Sequence, residues 1–306
     1  MVLAKPIYNS KRRILLSIGT RIHPKYMEKL VAIGIKYVFV EDEQSKGITL
    51  DEILDMPIWM EAIQVVEDAF RQAVCKEPLP LLGIQKTVKK LIDEVKRRKV
   101  IIVIPTSAVD SVLSPFAHAV NVTLISLQLG KALGYNYQQL YDLGIGCLLH
   151  DIGKAKTSIK EEYPESGFNI IRAQRELSLL SAHVAFQHHE MLDGSGHPRQ
   201  LKGNEILEFA QICGIANCYE NMISFENLNP QLAIDKIMSM TDRKYIFTIV
   251  NAFSQSIVGY PPGTKIRLNN RETGIVTCIK THLQRPVIRL DRTGIELDLS
   301  EENTLM

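Results

Sequence analysis

Five of the eight histidines in this 306-residue chain fall in three short segments. His118 sits in PFAHAVNV, His150 and Asp151 in LLHDIGK, and His188, His189 and His197 in FQHHEMLDGSGHP. One His-Asp pair would carry little, since a lone histidine on a helix is more often a core or surface residue than a ligand. The set carries more. His150-Asp151 follows an apolar run and precedes Ile152-Gly153-Lys154, which puts two polar groups at a helix end, against a core. Burying them unpaired costs on the order of several kcal/mol, so a metal ion or a tight polar network must satisfy them. On a helix, adjacent His188 and His189 point about 100° apart. They can approach two neighbouring ions, or one can ligate while the other faces a substrate. Imidazoles with a bridging carboxylate suit iron, manganese or zinc better than magnesium. The Asp151 carboxylate can span ions about 3.5–4 Å apart, the spacing of two-metal phosphoester hydrolysis.

The elements that must hold these side chains are mostly helical. From about Val100 to Val258 the apolar spacing predicts helices carrying Val122 to Leu129, Leu140 to Leu149, and Ile206, Phe209, Ile212 and Ile215. Two more helices are predicted ahead of them, over Ile58 to Val74 and Ile84 to Arg98. The second bears Lys86, Lys89, Lys90, Lys96, Arg97 and Arg98, with Lys99 just beyond. These form a phosphate patch or, because Asp93 and Glu94 interrupt them, a solvated helix face, the reading we favour. The N-terminus reads as a small α/β unit. A buried strand at Ile14 to Ile18 is followed by a helix at Lys25 to Ile33 stopped by Gly34, and by a strand at Ile35 to Val40. Thr49-Leu50-Asp51-Glu52 resembles a capping box that starts a helix. After the breaker Gly259 to Gly263, strands are predicted at Lys265 to Leu268, Gly274 to Ile279, Val287 to Leu290 and Ile295 to Leu299. The division read from these patterns is 1–85 as an N-terminal regulatory α/β module, 86–99 as a linking helix, 100–258 as a helical domain, and 259–306 as a small β extension.

Composition sets the outer bounds. Hydrophobic residues make up 45% and charged residues 23%, ordinary for a globular chain. A net charge of +2 gives no field to hold a nucleic acid polymer. The five cysteines form no CxxC pair, which argues against a disulfide framework or a zinc ribbon and for a reducing, cytoplasmic setting. No apolar run approaches the length of a membrane span.

HDIGK together with HHEMLDGSGHP resembles the HD-GYP family, a bacterial branch of the HD superfamily that hydrolyses cyclic di-GMP. LAKPIYNSKRRILLSIGTRI and LVAIGIKYVFVEDE resemble the N-terminal module joined to such domains, FAHAVNVTLISLQLGKALGY its first histidine helix, and PPGTKIRLNNRETGIV a small β extension. The resemblance implies a mainly α chain: an HD-type helical bundle with a small N-terminal α/β module and a small C-terminal β-barrel-like extension. It implies His118, His150, Asp151, His188 and His189 as metal ligands, with Asp151 and Lys154 catalytic and Lys154 on the scissile phosphate. It also implies a substrate-contacting turn of Asp193, Gly194 and Gly196, with His197 and Arg199 beside it.

The chain departs from the family pattern at several positions. Gly196-His197-Pro198 replaces GYP. Tyr163 stands where the family places a histidine ligand, and Asn217 where it places an aspartate ligand. Ser114 takes the place of an acidic ligand to a third metal. The acidic and arginine-bearing stretch expected next is unrecognisable in CYENMISFENLNP. Each of two metals would thereby lose one good ligand, which implies one occupied site or a weakly held pair of ions, iron or manganese. The function implied is cyclic di-GMP hydrolysis to pGpG and GMP at weakened activity. The alternative is a degenerate domain serving as a nucleotide-binding or protein-interaction module in cyclic di-GMP signalling. Implied partners are other cyclic di-GMP signalling proteins, through the GYP-like loop, and a second copy in a homodimer.

Overall fold

The computed structural model describes residues 1–301. Strand β1 (Val2–Leu3) opens the N-terminal unit, followed by β2 (Ile7–Tyr8), β3 (Ile14–Leu16), α1 (Pro24–Ala32) and β4 (Val40–Glu41). These strands form two separate antiparallel ribbons, β1 with β4 and β2 with β3. The helix ends as expected, with Gly34 at φ +89°. Two expectations fail here. Ile14, Leu15 and Ile18 are 55%, 43% and 65% exposed, because the small core of Leu3, Ile7, Leu30 and Ile35 takes only one face of this unit. Only Val40 of the Ile35 to Val40 run is in a strand. Lys36 and Tyr37 instead give their backbone N–H groups to the Ser107 carbonyl, at 2.8 and 3.1 Å.

Helices α2 (Met56–Cys75) and α3 (Leu81–Arg97) come next, then α4 (Ser114–Ala132), α5 (Tyr137–Leu148), α6 (Tyr163–Arg172), α7 (Leu179–Gln187), α8 (Glu208–Ser224), α9 (Pro230–Met238) and α10 (Phe247–Ser256). The capping-box reading at Thr49 is wrong. The Thr49 hydroxyl is spent on the Asp51 side chain at 3.1 Å, and the helix starts at Met56, with Pro57 in its first turn. Ile206 likewise lies before α8 rather than in it.

The central helix is α4. Residues Ala117 to Gly130 are buried on every side, the pattern of a helix enclosed by others. Around it pack α2, α3, α5, α8 and α10. Ile63 and Val66 of α2, Leu91 and Ile92 of α3, and Leu124 and Leu148 of α4 and α5 share one buried cluster. The basic residues of α3 are solvated or paired, as favoured above: Lys90 meets Glu61, and Arg97 and Arg98 both meet Glu94.

The tail is a four-stranded antiparallel meander of β5 (Lys265–Arg267), β6 (Thr273–His282), β7 (Arg285–Leu290) and β8 (Glu296–Asp298). Val276 pairs with Ile288 and Ile288 with Leu297, which turns Val276, Ile288, Leu290 and Leu299 into one small core. The sheet is tied on both sides. Gln284 donates to the Ile257 carbonyl at 2.7 Å, and Arg289 to the Gln44 carbonyl at 2.9 Å.

Candidate metal centre

Three helix ends and one helix face build the site. Helix α5 stops at Leu148, and His150-Asp151 occupies the turn before a short 3-10 helix, Ile152–Ala155. This turn is pressed against the start of α6. A Cβ on Gly153 would stand 1.9 Å from the Tyr163 carbonyl oxygen and 2.6 Å from the Gly167 nitrogen, so only glycine allows the approach. Helix α7 stops at Gln187 with His188 as its C-cap. The two histidines stand at and just past the helix end, with ring centroids 4.0 Å apart. His118 comes from the buried face of α4.

These side chains converge. Ligand atoms of His118, His150 and Asp151 lie within 4.8 Å of one another, and so do those of Asp151, His188 and His189. Asp151 belongs to both groups. His150 Nδ1 meets the Cys147 carbonyl at 2.8 Å. His188 Nδ1 meets the Val184 and Ala185 carbonyls at 3.2 and 3.1 Å. A carbonyl can only accept, so both Nδ1 atoms carry the proton and both Nε2 lone pairs point inward. His150 Nε2, His188 Nε2 and Asp151 Oδ1 are buried with no hydrogen-bond partner. Unpartnered buried acceptors are costly, and Asp151 with His150 in one group and His188 in the other fits one or two cations. Backbone and carboxylate partners on the far nitrogen are the arrangement that orients metal-binding imidazoles.

Sequence reasoning missed the carboxylate that orients His118. Glu220 is fully buried and accepts from His118 Nδ1. Its other oxygen accepts from Asn121 Nδ2 at 3.1 Å and from the Ser224 hydroxyl. Trp59 Nε1 donates to Asn121 Oδ1 at 3.0 Å. Glu220 lies within CYEN, in the stretch where the family's acidic and arginine-bearing segment is unrecognisable. The available signal was its position three residues after Asn217, one turn along a helix.

The electrostatics match this geometry. Burial alone would raise Asp151, but His150 beside it, then Lys154 and His188, hold its carboxyl well below the usual range. Lys154 Nζ donates to Asp151 Oδ2 at 2.6 Å while the side chain stays 47% exposed. Burial, then neighbouring His189 and His150, pushes His188 well below its ordinary value. Burial and His197 lower His189 to about 3. For His118, burial opposes protonation and the Glu220 charge overcomes it, so its value rises.

Both substituted positions are visible. Tyr163 is buried, and its hydroxyl bonds His189 Nε2. Burial, then the Asp151 charge, raises the phenol far above its ordinary value, so it stays neutral and occupies the nitrogen of a ligand candidate. The Asn217 side chain is buried, and its oxygen accepts from Asn221 Nδ2 at 3.1 Å.

The glycine-bearing loop divides in two. Asp193, Gly194 and Ser195 form a surface turn in which Ser195 N–H and hydroxyl both bond Asp193 Oδ1, at 2.9 and 2.5 Å. Gly196 and His197 reach the site. A Cβ at Gly196 would fall 2.4 Å from Glu190 Cα, and the His197 ring stacks on His189 with centroids 4.5 Å apart and planes 16° apart. Buried Glu190 fastens the loop by accepting from the Arg199 and Leu201 backbone N–H groups at 2.7 and 2.9 Å. The Arg199 guanidinium lies over the Phe186 ring, 5.8 Å from its centroid, and Arg199 itself is exposed.

A family model for the HD domain matches residues 103–248, the segment that holds every residue of this cluster. The match is to the HD domain family over this segment. A cyclic di-GMP phosphodiesterase of Pseudomonas aeruginosa is 24% identical over 180 residues, 53% of this chain and 44% of that protein. Another from Thermotoga maritima is 28% identical over 157 residues, 44% of this chain and 43% of that protein. The chain thus spans less than half the length of these relatives. Among solved structures, an HD-GYP-type protein from Bdellovibrio bacteriovorus superposes with a TM-score of 0.55 at 15% identity, covering 83% of this chain and 94% of that one. This likeness in fold reaches beyond the HD segment to most of the chain, and the HD-GYP resemblance read from the motifs is borne out. Among the described residues no helix is long and apolar enough to cross a membrane.

Proposed function

We propose that this HD domain is a metal-dependent phosphodiesterase acting on cyclic di-GMP, which it opens to pGpG and cuts further to GMP. The observation that supports this reading most is the set of three buried, unpartnered acceptors, His150 Nε2, His188 Nε2 and Asp151 Oδ1. His118, His150 and Asp151 would hold one divalent ion, iron or manganese by the chemistry of the donor set. His188 and His189 would hold a second, more weakly, because the Tyr163 hydroxyl is already on His189. A bound ion would supply Lewis acidity toward a phosphoryl oxygen.

The residues around it have separable tasks. Asp151, kept ionised by its neighbours, supplies the charge that holds the cation. Lys154, close to Asp151 and half in solvent, is placed to offset negative charge developing on a phosphate. His197, stacked on His189, closes the site where the family has tyrosine. The exposed Asp193 to Ser195 turn is the part of the loop open to a protein partner.

A second reading rests on Tyr163 and Asn217. Each presents a neutral group already hydrogen-bonded within the protein, which suits a domain that binds the nucleotide without turning it over. Cyclic di-GMP cleavage measured with added Fe(II) or Mn(II) separates the two. Turnover abolished by Asp151→Ala supports the enzyme. Binding without cleavage at any metal loading overturns it in favour of the second reading.

A further inference from the structure

A cavity of about 490 Å³ lies where the N-terminal unit, the helical bundle and the β extension meet. Phe39 walls it from the first, Ile102, Ile125 and Ile223 from the second, and Val258 and Pro262 from the junction with the third. Its volume is in the range of small-molecule sites, which favour such junctions. Hydrogen bonds to backbone carbonyls fix the segments around it. Ser107 fixes residues 36 and 37, Gln284 ties the extension to the Ser254 and Ile257 carbonyls, and Arg289 ties it to Gln44. Unfilled apolar space forfeits contacts, which an apolar guest would supply.

The lining specifies the guest. Among the described residues Glu41 is the single charged one lining the cavity, and it is exposed. No cation among the described residues lines it to neutralise an acid. Lys5 lies outside, beside the Phe39 ring, in an adjoining recess where Asp51 and Asp55 offset it. Two polar side chains at the cavity's open edge, Tyr37 and Asn227, are exposed and make no side-chain hydrogen bond among the described residues.

We propose that this cavity is a binding site for a small, uncharged, largely apolar molecule whose one polar end meets Tyr37 and Asn227. The site is separate from the metal centre but shares an element with it. Tyr219 lines the cavity, and the next residue of α8, Glu220, holds His118.

The test uses the full chain and N-phenyl-1-naphthylamine, an uncharged probe that brightens in apolar surroundings. Saturable binding is expected, competed by decan-1-ol far better than by decanoate or decylammonium. Val40→Trp places an indole at the cavity from a strand position that is 36% exposed, so the fold tolerates it. Val40→Trp and Ile223→Trp should each weaken probe binding about tenfold or more, equivalent to one decade of Kd. Leu15→Lys, on an exposed apolar position that does not line the cavity, should leave binding unchanged. Equal competition by the charged amphiphiles, or full probe affinity in a folded Val40→Trp chain, overturns the proposal.

Discussion

Replacing Glu220 by glutamine changes one atom in the interior and should be felt at the metal. Glu220 receives three donors on two oxygens: His118 Nδ1–H on one, and the Asn121 amide with the Ser224 hydroxyl on the other. Glutamine offers one oxygen and two N–H groups. If its oxygen stays on His118, its NH2 faces the Asn121 NH2. If it turns over, His118 loses its acceptor and the imidazole is free to rotate. Either way a buried donor is left unmatched, at about 1–3 kcal/mol of stability. Removing the partner that orients a ligating imidazole also typically costs about 10–100-fold in metal affinity, or about 1.4–2.8 kcal/mol at about 1.4 per decade. Mn(II) or Zn(II) titration against a chromophoric chelator reads the second effect and urea unfolding the first. Asp193→Asn, on the surface turn, serves as the control that should change neither. A folded Glu220→Gln protein with parental metal affinity would refute the claim that Glu220 acts through His118.

The other predictions concern neighbours of the same cluster. Gly153→Ala puts a methyl into the Tyr163 carbonyl, whose backbone cannot give way cheaply. It should cost on the order of 3 kcal/mol in urea unfolding and lower metal content with it, whereas Gly134→Ala, with nothing near its Cβ, should cost only its backbone strain and spare the metal. Tyr163→His with Asn217→Asp should raise bound metal per chain, measured by elemental analysis; an unchanged metal content would show that these substitutions do not set occupancy. Metal-free protein should lose stability as pH falls from about 6.5 toward 3. His189 titrates at about 3 in the folded state against about 6.5 unfolded, so the unfolded chain takes up a proton that the folded chain refuses. His188 acts in the same direction, while His118, raised by Glu220, opposes it. Urea unfolding at pH 7 and 5 checks the sign, and His189→Gln should flatten the slope.

How much of this could be read from residues alone depended on range. The HD turn, the histidine pair and the tail strands are local patterns. HDIGK carries its helix end within five residues, and the meander follows turn residues at short spacing. The N-terminal unit was misread because Ile14 to Ile18 and Ile35 to Val40 look like strands by composition, yet a unit with so small a core can bury only part of either. Thr49 looked like a cap because its hydroxyl could bond the backbone, and it bonds Asp51 instead. Glu220 was invisible for another reason. Its function is defined by His118, 102 residues earlier, and its own segment offers only its place one helical turn after Asn217.

The central claim is that His118, His150, Asp151, His188 and His189 hold at least one divalent cation. Metal content of anaerobically purified protein, measured beside an Asp151→Asn variant, tests it most directly. The account predicts about one equivalent or more of iron or manganese in the parent chain and a large loss in the variant. Parent protein that carries no metal and takes up none on titration with Fe(II), Mn(II) or Zn(II) would contradict it.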